Sequence, residues 1–307
     1  MPKKIPKQVK LVKESYIKQS KKNKHISYSQ LSTYLNCPRL WELQYLRKLA
    51  PYDPSIHMVF GSAFHESLQH YLDVMYTDSV KAANEIDLNS HLYERMIKNY
   101  KRQKKMNGFE HFSTAEELNL FYLDGKHILD WIKKRRGAYF SSSRKGVHLA
   151  GIETLLYQKI SPGVYFKGLI DLVFYDERDD SYTLVDIKTS TKGWSKWAKE
   201  DDIKTSQLLL YKEFFAKQFN VDINKVNIQY FIVKRKVPVE ADFATMQKRV
   251  QEFIPASGKI KRGKAISYMN KFIKDTLNDK GEYIDKRYTC TNQKPCFFCN
   301  VYNGLLD

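Results

Sequence analysis

The sequence predicts an α/β fold in which a mixed β-sheet core is flanked by helices, with a helical insertion and a cysteine-bearing C-terminal segment. Three observations lead to this prediction. Helical patterns fill most of the chain up to about residue 140; three strand-like segments, a helix and a fourth strand follow; and the rest of the chain is again helical in pattern. Elements in this order bury their apolar faces when the helices pack against a shared sheet.

The chain of 307 residues is expected to consist of a basic flexible arm, residues 1–25, and a single domain, residues 26–307. The arm is rich in lysine and is either a plain tail or a segment that grips nucleic acid. Within the domain we expect a mainly helical region at residues 66–148, an α/β core at 150–234, and a helical and cysteine-bearing part at 235–307.

Three helices are predicted with particular clarity. Ser27 followed by Gln30 has the spacing of a capping box and begins the first of them. Residues 61–75 read as a second helix, which carries His65, and residues 201–219 read as an amphipathic helix.

A charged turn joins two of the predicted strands into a hairpin. The turn is residues 177–180, so that Asp176 pairs with Ser181. The four strand-like segments are residues 152–160, 165–175, 182–187 and 226–234.

Counting back along the hairpin from that turn pairs Asp171 with Asp186. Directly opposed residues have Cβ atoms roughly 4.5–5.5 Å apart, where two carboxylates repel. A divalent cation between them would remove the penalty, because hard cations take carboxylate oxygens. Strand alternation places Lys188 on the same face as Asp186. Two metal-binding aspartates beside a lysine suit the hydrolysis of a phosphodiester, although one aspartate could instead cap or pair with a basic side chain, as in a salt bridge with Lys188.

Four further residues are candidates for the same site, each with a purely structural alternative. Glu153 is either near the metal or a surface residue, and His65 is either a metal ligand or a structural histidine. Gln207 and Tyr211 share a helix face because they are four residues apart, and that face either lines the site or is partly exposed.

The cysteines occur in two places, one early and three near the end of the chain. A C-x2-C pair with a third cysteine just before it suits thiolate ligation of zinc or of an iron–sulfur cluster. Four unrelated thiols are the alternative. The residues are Cys37, Cys290, Cys296 and Cys299.

Composition points to a polyanionic partner. The chain has 52 Lys and Arg against 34 Asp and Glu, a formal net charge of +18, and phosphates are bound mainly through such residues. Some of the 21 Tyr and 17 Phe could stack on unpaired bases, although most are expected in the core. The sequence has no apolar run long enough to span a membrane and too few cysteines for a disulfide scaffold, so we expect a reducing, cytoplasmic setting without a membrane partner.

Five motifs in this order resemble those of the PD-(D/E)XK nucleases of the RecB type, a group that includes CRISPR-adaptation nucleases and the nuclease domains of AddAB-like recombination enzymes. The motifs are SYSQL at 27–31 followed by Cys37-Pro38, GSAFH at 61–65, GLIDLV at 168–173, VDIKTS at 185–190 and QLLLY at 207–211. The resemblance covers residues from about 26 to 234, and less fully to 299.

The resemblance implies a restriction-endonuclease-like core that binds Mg2+ or Mn2+. It makes His65 a metal ligand beside Asp171 and Asp186, with the main-chain carbonyl of Ile187 completing the shell. It also makes Gln207 and Tyr211 residues that line the catalytic site.

The resemblance also bears on the cysteines. Relatives that carry a [4Fe–4S] cluster bind it through one early and three late cysteines. In them, however, the C-x2-C pair precedes the lone cysteine, whereas here the lone Cys290 comes first. Zinc is therefore retained as the alternative.

The function expected from these residues and motifs is that of a metal-dependent deoxyribonuclease. We expect an exonuclease that acts on single-stranded DNA or DNA ends in recombination, repair or replication, with a helicase or recombination protein as a further partner. The alternatives are a structure-specific endonuclease, an RNase on the same fold, or a catalytically inactive DNA-binding module.

Overall fold

The computed structural model describes residues 24–50, 52–140, 146–237 and 248–290, and it has the predicted mixed α/β architecture. The helices are α1 (Tyr28–Asn36), α2 (Pro38–Trp41), α3 (Ile56–Thr77), α4 (Val80–Glu85), α5 (Leu88–Met106), α6 (Ala115–Tyr139), α7 (Lys196–Glu200), α8 (Asp202–Phe219) and α9 (Lys259–Thr276). A π-helix, Glu42–Leu46, follows α2, and a 3-10 turn, Ile223–Lys225, follows α8. None of these helices is both long enough and apolar enough to cross a membrane.

Six strands form one mixed sheet among the described residues. They are β1 (Lys24–Ile26), β2 (Val147–Ser161), β3 (Val164–Asp176), β4 (Ser181–Ser190), β5 (Val226–Lys234) and β6 (Val250–Phe253). β3 is antiparallel to β2 and β4 and parallel to β1, while β5 runs parallel to β4 and antiparallel to β6.

The predicted hairpin register is confirmed for the part of the ladder that forms. Asp176 pairs with Ser181, and the pairing continues in step to Leu172 opposite Val185. The next step would oppose Asp171 and Asp186, but the ladder between β3 and β4 ends one residue earlier.

The edge of β3 that faces β4 has a gap. β2 pairs along the whole of β3, so β1 and β4 must share the opposite edge. β1 takes residues 164–166 of that edge and β4 takes residues 172–176. Within the described ladders, residues 167–171 therefore have no strand partner on this edge, and Asp171 lies at the end of the gap.

Helices cover both faces of the sheet. On one face, α1, α8 and α9 bury residues such as Leu31, Leu208 and Phe272. On the other face, α3, α5 and α6 bury residues such as Phe64 and Ile128. Side chains of β5 alternate between the two faces: Ile228, Tyr230 and Ile232 belong to the first core, and Phe231 and Val233 belong to the second.

Three details differ from the sequence prediction. β1 begins at Lys24, so Lys24 and His25 belong to the sheet rather than to the predicted arm, whose residues 1–23 lie outside the described residues. β6 was not predicted. Ser27 does cap α1 by accepting from the Gln30 N–H, but the Gln30 side chain accepts from the Tyr283 hydroxyl instead of closing the capping box.

Candidate active site

Asp171 marks the point where the two hairpin strands part. Its Oδ2 accepts a hydrogen bond from the backbone N–H of Ile187 at 2.6 Å. The Asp171 side chain thus makes a hydrogen bond to β4 just beyond the last backbone pair of the ladder, Leu172 and Val185. The carboxylate is held close to β4 by this bond instead of by strand pairing.

Asp186 is buried on the neighbouring strand, where one carboxylate oxygen has an ion-pair contact and the other accepts a hydrogen bond. Its side chain is 3% exposed, and Oδ2 lies 2.8 Å from the Nζ of Lys188. Oδ1 accepts from the Nε2 of Gln207 at 2.9 Å. Lys188 keeps about a third of its side chain exposed (34%).

α3 brings His65 to the same place from the other side of the sheet. Its Nδ1 lies 3.7 Å from the Oδ2 of Asp171. Burial lowers the pKa of His65 to about 3, the Lys188 charge acts in the same direction, and a hydrogen bond with the Ile187 backbone opposes them. The imidazole is therefore neutral at physiological pH, which is the form that binds metal.

Glu153 joins the site from β2. The β2–β3 register places it opposite Asp171, between the pairs Ile152–Leu172 and Thr154–Ile170. Its φ of 49° lies in the left-handed region, which is uncommon for a residue other than glycine and tends to occur at functional sites.

Gln69 links Glu153 to Asp171, and the sequence analysis did not identify it. It lies one helical turn after His65 on α3 and is buried. Its Nε2 donates to the Oε1 of Glu153 at 2.7 Å and to the backbone carbonyl of Asp171 at 3.2 Å. The spacing of four residues from His65 was the available signal, since i and i+4 share a helix face.

Tyr211 and Gln207 lie together on α8, as their spacing predicted. The Nε2 of Gln207 also donates to the Tyr211 hydroxyl at 3.3 Å. The Tyr211 ring packs directly on the backbone of Gly168: a Cβ atom at position 168 would lie 2.8 Å from the ring. Only glycine allows this close approach, which explains the residue type that begins the GLIDLV motif.

Electrostatics at the site are dominated by two buried carboxylates. Burial raises the pKa of Asp171 well above its ordinary value, and the charge of Asp186 adds to the rise. Burial also raises the pKa of Asp186, against the opposing effect of Lys188. Burial alone would lower the pKa of Lys188, but Asp186 and Asp171 together outweigh it and raise the pKa. One ammonium thus faces two carboxylates.

No three His, Cys, Asp or Glu side chains in the described ranges converge closely enough to hold a metal ion. Lys188 and Gln207 each contact one carboxylate oxygen of Asp186 instead. The metal-ligand roles predicted for His65, Asp171, Asp186 and the Ile187 carbonyl accordingly stay predictions.

The predicted cysteine site is only partly described. The Sγ atoms of Cys37 and Cys290 lie 3.5 Å apart, and Cys37 also accepts from the backbone N–H of Leu40 at 3.3 Å. The early cysteine and the first of the late cysteines therefore meet in space. Cys296 and Cys299 lie outside the described residues.

Comparison with known proteins yields one family. The family model described as "PD-(D/E)XK nuclease superfamily" matches residues 25–302. This match spans most of the chain, including every candidate site residue from His65 to Tyr211 and all four cysteines. No curated protein matches the chain.

Proposed function

Because this chain belongs to the PD-(D/E)XK nuclease superfamily, we propose that it is a metal-dependent deoxyribonuclease of the RecB type. The observation that carries the proposal is the pair of buried carboxylates, Asp171 and Asp186, beside the ammonium of Lys188. Buried charges are costly unless they are paired or bind a cation, and one lysine does not balance two aspartates.

The donor atoms of these residues are of the kinds that bind a divalent ion such as Mg2+ or Mn2+. Asp171 and Asp186 offer carboxylate oxygens, and His65 offers a neutral imidazole 3.7 Å from Asp171. Hard cations prefer oxygen ligands, and Mn2+ also accepts imidazole. We assign these three side chains and the Ile187 carbonyl as the metal-binding set, with Glu153 as a further candidate held near Asp171 by Gln69.

A bound ion would lower the pKa of a water molecule and neutralise charge on the phosphate. The protein contributes the remaining steps. Lys188, kept charged by Asp186 and Asp171, orients the attacking water and stabilises the negative charge that builds on the phosphate. Gln207 fixes one oxygen of Asp186 by donating to it, and Tyr211 contacts Gln207 from the next turn of α8.

DNA is the proposed substrate, cut from ends or as single strands during recombination, repair or replication. The net charge of +18 supports a polyanionic partner. An RNase or a structure-specific endonuclease would use the same catalytic set, and a DNA-binding module without activity would not need Lys188. We place a helicase or recombination protein among the partners of such an enzyme.

One assay decides among these options. The full-length protein is incubated with Mg2+ or Mn2+ and end-labelled single-stranded DNA, duplex DNA or RNA, together with unlabelled circular single-stranded DNA. The proposal expects degradation of linear DNA, no cleavage of RNA or circles, and no activity in EDTA. Cleaved circles would show an endonuclease, and cleaved RNA would show a ribonuclease. No cleavage under any condition would contradict the proposed enzyme.

For the cysteines we propose a shared metal site that ties the C-terminal segment to the start of α2. In a tetrahedral zinc site with Zn–S bonds of about 2.3 Å, the sulfur atoms lie about 3.8 Å apart. The Sγ atoms of Cys37 and Cys290 lie 3.5 Å apart, a distance that supports such a single-ion site. In a [4Fe–4S] cluster each thiolate binds a different iron, so the sulfur atoms of two ligands lie further apart.

Anaerobic purification, followed by an absorbance scan and metal analysis, separates the two groups. Zinc at one equivalent without visible absorbance supports the single-ion site, and iron with broad visible absorbance supports the cluster. Protein that contains neither metal would contradict both assignments.

A further inference from the structure

A groove opens beside the candidate catalytic centre, in the gap on the edge of β3. The cavity has a volume of about 720 Å3 and is lined by Lys188, Gln207 and Tyr211 of the proposed catalytic set. Lys167, Gly168 and Leu169, which lie in the gap between β1 and β4, form part of its wall. The groove thus reaches Lys188, whose ammonium contacts Asp186.

The walls of the groove combine basic side chains with apolar and aromatic ones. Three lysines line it, at positions 167, 188 and 204, against the single carboxylate of Asp201. Asp201 is itself engaged, because its Oδ1 accepts from the N–H groups of Ile203 and Lys204 at the start of α8. The groove is therefore positively charged where a chain of phosphates would enter.

Apolar groups lie between the lysines. Leu169 is exposed although it is a large apolar residue. Trp194 and Tyr28 also line the groove. Trp194 is held in place by packing on Tyr230, with ring centroids 4.8 Å apart, and its backbone N–H donates to the Oε1 of Gln251. Tyr28 is fixed by a hydrogen bond from its hydroxyl to the backbone of α8.

From these features we infer that the groove binds one unpaired DNA strand and leads it to the scissile phosphate. This inference rests on the proposed function. Grooves that hold single strands combine basic groups along the backbone with aromatic and apolar faces for the bases. In a duplex the base faces are stacked inside the helix and cannot reach Leu169 or Trp194. A volume of 720 Å3 suits a few unpaired nucleotides rather than a duplex.

Lys167 and Lys204 are assigned as phosphate-binding residues of this strand. Lys167 lies four residues before Asp171 on β3, about 13 Å along the strand at the usual rise per residue. The phosphate it binds would therefore lie a few nucleotides from the one that is cut. Lys204 lines the groove from α8, where its Nζ is 5.0 Å from the centre of the Trp194 ring.

The experiment compares two double variants of the full-length protein. Lys167→Ala/Lys204→Ala removes the groove lysines. The matched control, Lys159→Ala/Lys217→Ala, removes one exposed lysine from β2 and one from α8, neither of which lines the groove. Binding to a labelled 20-nucleotide oligo-dT and to a blunt duplex of equal length is measured by fluorescence anisotropy in EDTA over a range of salt concentrations.

We expect wild type to prefer the single strand and the groove variant to bind it at least roughly fivefold more weakly than the control does. The slope of log K against log salt should fall by about 1.4 for the groove variant, since each lost phosphate contact contributes about 0.7 on single strands. Equal slopes in the two double variants, or equal affinity of wild type for duplex and single strand, would overturn the inference.

Cleavage measured in parallel keeps this inference separate from the proposed activity. If wild type binds single strands with the expected salt slope but cuts no DNA with Mg2+ or Mn2+, the nuclease proposal fails while the groove assignment stands. If wild type cuts DNA and the groove variant binds like the control, the groove assignment fails while the nuclease proposal stands.

Discussion

The two ends of the β3–β4 hairpin both carry clusters of acidic residues, but in opposite environments. At the turn end, residues 176–181, Asp179 and Asp180 are exposed. Asp180 accepts from the Tyr175 hydroxyl at 2.8 Å, and Asp176 accepts from Arg178. At the site end, Asp171 and Asp186 are buried, and Lys188 is the ammonium they share.

This difference shows that position within the hairpin, and not acidity alone, separates a structural carboxylate from a functional one. Asp179 and Asp180 at the turn end are exposed to water, and Asp and Asn suit the backbone conformation of a turn. At the site end the charges are desolvated together, and the backbone ladder stops where they meet. A chain that keeps such a pair needs a cation there or loses stability.

Cleavage rates should differ most between variants of two lysines, Lys188 at the site end of the hairpin and Lys225 beside its turn end. Lys188→Ala should lower the cleavage rate by about 100- to 1,000-fold, because it removes the group that stabilises the developing charge. Asp186→Ala should abolish cleavage. Lys225→Ala should leave the rate unchanged, because the Lys225 ammonium donates to the backbone of Asp179 at the turn end. Single-turnover degradation of labelled DNA measures all three.

DNA binding provides the control for this contrast. Lys188→Ala and Asp186→Ala should each bind single-stranded DNA nearly as wild type does, since most of the affinity comes from other basic groups. A variant that cut at the wild-type rate would show that the catalytic centre lies elsewhere.

A smaller effect is expected from the residues that hold Asp186 in place. Gln207→Ala removes the donor to Oδ1 and should slow cleavage by about 10- to 100-fold, as does the loss of other groups that orient metal ligands. Tyr211→Phe should cost less than about tenfold, because Tyr211 contacts Asp186 only through Gln207. A slower cleavage rate at an unchanged melting temperature would show a positioning role and not a loss of fold in either variant. An unchanged cleavage rate in Gln207→Ala would show that Gln207 has no role in the catalytic site.

The smallest effect concerns stability. The raised pKa of Asp171 means that its ionised form destabilises the folded protein above the ordinary carboxyl pKa. Asp171→Asn should therefore raise the unfolding free energy in EDTA at pH 8 by about 1 kcal/mol, and the gain should vanish at pH values below 4, where unfolded Asp is also protonated. Asp179→Asn at the turn end should change the unfolding free energy at pH 8 by less than about 0.5 kcal/mol. An unfolding free energy lower in Asp171→Asn than in wild type under these conditions would show that the ionised Asp171 carboxylate does not destabilise the fold.

Much of this site could be predicted from the sequence because the hairpin fixes its own register. The four-residue turn aligns Asp176 with Ser181, and the pairs as far as Leu172 opposite Val185 follow by counting, one step short of Asp171 and Asp186. The i, i+4 spacing of Gln207 and Tyr211 likewise places them on one helix face. The family match supports the fold, while the roles of the individual residues stay predictions.

Other features depend on contacts that the sequence does not encode locally. β1 and β6 have three and four residues, too few for a periodic pattern. The left-handed conformation of Glu153 and its bond to Gln69 arise only when α3 packs against the sheet. The gap on the edge of β3 requires knowing that β1 and β4 share one edge, a property of the assembled sheet.

We expect the site end of the hairpin to bind a divalent ion and the turn end to bind none. Mn2+ binding, followed by electron paramagnetic resonance of the free ion, tests this difference with two matched double variants. Asp171→Asn/Asp186→Asn should lose binding, whereas Asp179→Asn/Asp180→Asn, in which asparagine tolerates the φ of 57° at position 180, should bind Mn2+ as wild type does. Wild-type Mn2+ affinity in the Asp171→Asn/Asp186→Asn protein would show that the ion does not bind at the site end.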